Sequence, residues 1–188
     1  MSVPLEYLTA REAVDLFASR QLSPVELMQA LLARAERLCG SINATTAIHA
    51  EAALAQARLA EARYRAGTQR PLEGVPVAIK EETSVAGWSR TIGSWLHDEV
   101  AAENHPIVDK LLQAGAIPHL QTTVPEFCLI GQTWSSRSNS LLEKADQRQT
   151  SPPGLRFFGG GRFVAFAFPA RATHHATDVL IAIRTPQF

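Results

Sequence analysis

With 188 residues the chain is long enough for one ordinary domain with a sizeable core, and 46% hydrophobic residues argue against disorder. Eighteen basic residues cancel eighteen acidic ones, so the balance points to neither nucleic acid nor an anionic membrane as a partner. Cys39 and Cys128 make no disulfide framework, no stretch is apolar enough to span a bilayer, and the N-terminus lacks a basic or apolar leader region. A soluble cytoplasmic protein is the expectation.

The first part of the chain is rich in helix signals. Thr9-Ala-Arg-Glu12 fits a capping box, and Ala13, Val14, Leu16 and Phe17 follow at helical spacing. Ser23-Pro-Val-Glu26 is a stronger start: Ser23 accepts an amide bond, Pro24 suits the first helical position and Glu26 reaches back. Leu27, Met28, Leu31, Leu32 and Ala35 make one apolar stripe, with an end expected near Gly40. A third helix is expected from about His49 to Ala66, closed by Gly67, and its closely spaced alanines predict tight packing on a neighbour.

After Pro71 the pattern changes. Val75–Ile79 reads as a buried strand of a parallel or mixed sheet, and loop residues Gly87, Trp88, Gly93 and Ser94 follow. Residues 106–114 predict a helix with Pro106 in its first turn and Gly115 past its end, and residues 116–121 predict the next strand. Strand, crossover helix and strand make an α/β unit. Pro76 and Pro118 count against both strands, because proline donates nothing to a ladder.

A break in composition falls near Arg137. Residues 1–136 hold 15 acids and 11 bases, whereas residues 137–188 hold 3 acids and 7 bases and six of the eight phenylalanines. The later segment shows no clean period of 2 or 3.6. The expected organisation is therefore a helical segment at 1–70, an α/β segment at 71–136 and an anomalous tail at 137–188.

Lys80 is the residue with the sharpest chemistry. A lysine ending a buried strand is desolvated, its pKa should fall, and a neutral amine is a candidate general base. From this chemistry alone, a lysine that reaches water or pairs with Glu81 or Glu82 is the commoner case. Gly159-Gly160-Gly161 lacks the Lys-Ser or Lys-Thr of a phosphate loop and reads as a turn. His174 and His175 are adjacent and diverge, which speaks against a metal pair, and no metal or cofactor is expected. Cys128 lies among Phe127, Leu129 and Ile130 and reads as a structural thiol. Glu126, after Pro125, is expected in the first turn of a helix, where the dipole favours it.

The stretch PLEGVPVAIKEETSVAGW at 71–88 resembles the lysine segment of the amidase signature hydrolases. DKLLQAGAIPHLQTTVPEF at 109–127 is similar to the family's next block, and LSPVELMQALLARAE at 22–36 to its opening helices. The resemblance covers roughly residues 5–136. It implies a partial amidase signature fold, in which N-terminal helices precede the first part of a mixed sheet flanked by helices. It also implies cleavage of carboxylic amides by a Ser-Ser-Lys triad. One serine attacks the carbonyl, a second relays the proton, and a buried neutral lysine is the final base. Lys80 matches that lysine.

The later family motifs are altered. The best register places Arg162 where the family has its bridging serine, and Thr177-Asp178-Val179-Leu180-Ile181-Ala182 over the nucleophile loop. Ala182 then holds the nucleophile position, and Leu180 and Ile181 replace oxyanion-hole glycines, whose backbone angles bulky residues resist. The resemblance thus implies an amidase-like chain, less than half the family's length, that keeps the base and lacks both serines. A shift of reading frame would account for the missing serines and the altered composition together. One alternative is a hydrolase using Ser140 or Ser151. Another is a non-catalytic interaction module or amidotransferase-like partner subunit, in a homo- or hetero-oligomer. A small amide is the expected substrate of an active form.

Overall fold

The computed structural model describes residues 4–129 and 179–180. Four helices and a mixed sheet account for most of them, in the order α1 (Ala10–Ala18), α2 (Pro24–Ile42), β1 (Thr45–Ile48), α3 (Ala50–Ala66), β2 (Pro76–Lys80), β3 (Ser89–Arg90), β4 (Glu99–Val100), α4 (Pro106–Ala114), β5 (Ile117–Thr122) and β6 (Val179–Leu180). This is the mixed α/β architecture the sequence predicts. Among the described residues, no helix is long and apolar enough to cross a membrane.

The helix starts follow local chemistry. Thr9 and Ser23 both close capping boxes, the first with Glu12 and the second with Glu26. The Ser23 hydroxyl also donates to Glu61 Oε1 at 2.7 Å, which ties the start of α2 to α3. The expected end of α2 near Gly40 falls short. The helix runs to Ile42 and stops where Asn43 takes a left-handed conformation, φ 50°. A glycine inside a helix costs only about 1 kcal/mol, so it need not end one.

The main sheet has the order β1-β5-β2-β6. β2 and β5 are parallel, with Lys80 opposite Thr122 at their carboxyl ends. β1 and β6 flank them in antiparallel sense. Both predicted strands are displaced by one residue toward their carboxyl ends, so that Lys80 belongs to β2 instead of following it. The two prolines do not prevent pairing. Pro76 is the first residue of β2, and Pro118 lies at a register shift where Val77 faces Pro118 but Ala78 already faces Leu120. These are the strand positions that need no amide donor. β1, only four residues long, was not evident from the sequence.

Three packed clusters hold the layers together. Met28 and Leu32 of α2, Ala53, Ala57 and Ala60 of α3, and Ile117 of β5 form one, and the three alanines are fully buried, as their spacing predicts. Val77 and Ile79 pack with Val85, Val108 and Ala116 on the other face of the sheet. Ala13, Phe17, Leu22, Leu27 and Tyr64 join α1 to the helical layer.

Candidate active site

The carboxyl ends of parallel strands are where open α/β sheets bind ligands, because the chain leaves the sheet there and opens a crevice. Lys80 stands at that edge. Val77 and Ile79 anchor β2 in the core, so the strand has no freedom to withdraw its last side chain. The amide of Thr83 donates to the Lys80 carbonyl at 2.8 Å, which turns the chain immediately after the lysine. The Lys80 side chain is 21% exposed, and its Nζ lies 3.1 Å from Oε1 of Glu82.

The two acids after Lys80 have separate tasks. Glu81 is buried. Its backbone amide donates to the Thr122 carbonyl at 3.0 Å, and its carboxylate accepts from the Thr91 amide at 3.1 Å and from the Thr91 hydroxyl. Glu81 therefore holds the loop after β3 against the sheet edge. Glu82 turns to Lys80. Of the two pairings the sequence leaves open, the structure realises the one with Glu82.

A second tie closes the loop. Ser94 is fully buried and donates its hydroxyl to Oε1 of Glu126 at 2.8 Å. The Phe127 amide donates to the Ile92 carbonyl at 2.8 Å. Gly93 is required here: its φ is +71°, and a Cβ would lie 2.9 Å from the Val124 carbonyl oxygen. Glu126 was expected at a helix start. It instead opens a single 3-10 turn, Glu126–Cys128, in which Phe127 and Cys128 have φ 52° and 56°. Such a turn has no extended dipole, and the Ser94 hydroxyl is what holds the carboxylate.

Cys128 forms no disulfide and is half-buried. Burial pushes its thiol pKa up to about 12, and hydrogen bonding to Glu82 adds to the rise, while the positive charge of Lys80 works against it. At neutral pH it is a protonated thiol, as the sequence reading of a structural cysteine requires. Gln121, opposite Ile79 in the register of β2 and β5, forms a group with His49 and Trp88. The imidazole of His49 stacks on Trp88 with ring centres 3.6 Å apart and lies 3.4 Å from Gln121 Oε1. Gln121 donates to the Ser89 carbonyl at 2.9 Å. Burial lowers the His49 pKa and the Gln121 contact raises it in part. These contacts were not legible in the sequence, because each joins partners distant along the chain.

Arg162, Ala182 and Ile181 lie outside the described residues, as do Ser140, Ser151, the glycine run at 159–161 and His174-His175. Leu180, aligned with an oxyanion-hole glycine, is a strand residue opposite Ala78. Among the described residues, no group of three or more histidines, cysteines and acids could hold a metal ion.

The family model for amidases matches residues 26–142, which takes in the helical layer, Lys80, the loop and the Glu126 turn. The chain belongs to the amidase family. Among curated relatives it is 32% identical to a glutamyl-tRNA(Gln) amidotransferase subunit of Methylobacillus flagellatus, over 94% of this chain and 35% of that protein. It is 39% identical to the corresponding protein of Ralstonia pickettii, over 90% of this chain and 33% of that protein. Among solved structures, a bacterial aryl acylamidase of the amidase signature family superposes with a TM-score of 0.64 at 25% identity, over 70% of this chain and 28% of that one. The chain thus spans about a third of the length of the curated relatives it matches. An alignment of 177 residues in a chain of 188 also has to reach into the segment after Arg137.

Proposed function

We propose that this chain carries the lysine part of an amidase centre and that, as it stands, it does not hydrolyse amides. Lys80 takes the role of the family's proton acceptor. The observation that carries this reading is its position: the last residue of a buried parallel strand, partly shielded, at the sheet edge where the family model matches. The bridging-serine position is occupied by Arg162 and the nucleophile position by Ala182. An amide is a poor electrophile and needs both an activated nucleophile and oxyanion donors. Neither an alanine nor an arginine supplies the attacking oxygen. The reaction class would be cleavage of a carboxylic amide C–N bond. We place the protein in the cytoplasm, where two cysteines outside any disulfide stay reduced.

A second reading has one observation behind it. The two curated relatives described above are named as components of an amidotransferase, so this chain would serve as part of a hetero-oligomer. In that case a partner chain supplies the missing nucleophile.

The test is hydrolysis of simple aliphatic and aryl amides by the purified full chain, beside Lys80→Ala and with a fluorophosphonate label for an activated serine. The expected result is no Lys80-dependent turnover and no label. Turnover that disappears in Lys80→Ala would refute the inactive reading, and a label on Ser140 or Ser151 would establish another nucleophile.

A further inference from the structure

The stack of His49 on Trp88 joins three parts of the fold. His49 precedes α3, and its amide donates to the His119 carbonyl of β5 at 2.8 Å. Its ring lies on the Trp88 indole with the two planes only 9° apart. Gln121 completes the arrangement. Its side-chain nitrogen donates to the Ser89 carbonyl, which can only accept, so Oε1 is the atom turned to His49 Nε2. The neutral ring then carries its proton on Nε2 and donates it to Gln121. The imidazole thus holds two neighbouring residues, Trp88 by the stack and Ser89 through Gln121. From there the chain runs on to Thr91 and Ser94, which Glu81 and Glu126 tie to the edge where Lys80 stands.

The place suits a neutral ring. His49 is half-buried and stands at the N-terminus of a 17-residue helix, whose dipole disfavours a cation. Burial lowers its pKa, and the Gln121 contact offsets this only in part. The indole face acts in the other sense, because it attracts cations. Charged and titratable groups lie on each surrounding element. Glu51, in the first turn of α3, is exposed. On β5, His119 turns Nδ1 to the Val77 carbonyl. On β3, Arg90 pairs with Glu99, and His97 Nδ1 lies 3.2 Å from the Arg90 carbonyl. Glu81 accepts from Thr91. His97 and His119 titrate as well, so the test has to separate them from His49.

We propose that His49 is an acid-sensitive latch: as a neutral ring it clamps the Trp88–Ser89 segment to β5, and on protonation it leaves the indole and lets that segment open. Opening and proton uptake are linked, since a ring released into water regains the ordinary histidine pKa and acid then favours the released form. The latch does not depend on the reading of Lys80 as a base. It makes the firmness of the loop between β2 and β4 a function of pH.

The test is hydrogen–deuterium exchange of the full chain at pH 7.5 and pH 5.5, corrected for intrinsic amide exchange and read by mass spectrometry. The peptide covering residues 85–101 contains the bonded amides of Gly87, Trp88, Thr91 and Ala101. Its protection is expected to fall severalfold at pH 5.5, and by at most about tenfold, the ratio by which a released imidazole prefers its proton there. A peptide over β2 reports global opening, including any due to His119, and is expected to change less. His49→Phe keeps a ring on the indole, and His49→Gln keeps a donor to Gln121. Neither titrates, and neither removes a side-chain cap from α3, because His49 provides none. Both are expected to lose the pH difference, whereas His97→Gln is expected to keep it. Equal protection of the 85–101 peptide at the two pH values would overturn the proposal. So would tighter protection at pH 5.5, since the indole face would then be holding the imidazolium. A loss shared equally by β2, or one that survives in both His49 variants, would also overturn it, because the proton would then act elsewhere.

Discussion

His119 occupies the bulge of β5 and donates its Nδ1–H to the Val77 carbonyl at 2.9 Å, so it bridges the two central strands. Burial lowers its pKa to about 4, and the hydrogen bond to Val77 restores only part of the loss. The folded protein keeps this histidine neutral where the unfolded chain already binds a proton. Stability should therefore fall as pH drops from about 6.5 to about 4, by about 3 kcal/mol in total. His119→Asn preserves a donor near Nδ1 without the titration. Urea melts at pH 7 and pH 4.5 should show a much smaller difference in this variant than in the parent. Glu73 responds in a lower window. Its desolvation raises the carboxyl, but hydrogen bonds from Arg70 and Arg63 outweigh this and hold it below the usual carboxylate range. Its contribution is present above the ordinary carboxylate pKa and disappears as pH falls through the lower folded value. Arg63 and Arg70 are each more than a third exposed and can turn to water, so Glu73→Gln is expected to cost only about 2 kcal/mol at pH 7, measured by urea denaturation.

At the scale of elements, the joints matter more than the interiors. Gly115 ends α4 with φ +98°, and a Cβ there would lie 2.8 Å from the Glu73 Cα and 2.9 Å from its amide nitrogen. The obstacle is backbone, which cannot swing aside as a side chain would. Gly115→Ala should therefore cost more than about 2 kcal/mol, well beyond the ordinary penalty of a left-handed residue, and a thermal melt would register it. Ser23 combines a capping box with the bond to Glu61. Ser23→Ala is expected to remove about 1 kcal/mol or somewhat more, and Ser23→Thr to recover most of it. The same logic explains the loop around Lys80. Thr91 is bound by Glu81 and Ser94 by Glu126, so two carboxylates from opposite sides of the loop define the edge at which the lysine stands.

Over the whole molecule, the helical layer and the sheet share a core. Met28 is fully buried in α2 and belongs to the same cluster as Ile117 of β5. Unfolding of the helices should then remove the support of the sheet. Met28→Ala is expected to cost about 2–5 kcal/mol. The loss should appear equally in far-UV circular dichroism, dominated by the helices, and in tryptophan fluorescence, to which the stacked Trp88 contributes. Separate midpoints for the two probes would show that the layers unfold independently. Trp95, Leu96 and Leu129 are 67%, 88% and 79% exposed, an unusual apolar concentration close to the site.

Much of this was readable from local chemistry. Capping residues, apolar spacing and terminal glycines locate α1, α3 and α4, and the short apolar run before Lys80 locates β2, since each signal acts within a few residues of chain. The family and the lysine were legible for the same reason: the motif is contiguous. What escaped depends on partners far along the chain. β1 is too short and polar to announce itself and exists because Ile48 and Ala47 face Leu120 and Gln121. The prolines looked disqualifying until the register placed one at a strand start and the other at a bulge. Glu81 and Glu82 are chemically alike and adjacent in sequence, but the backbone turn after Lys80 sends one to Thr91 and the other to the lysine. Composition and spacing determined that this chain forms an α/β layer with a lysine at its edge, and the resemblance of its contiguous motifs pointed to the amidases. Only the tertiary structure decided which carboxylate meets that lysine, because side-chain direction at a strand end is set by the strands and loops packed around it.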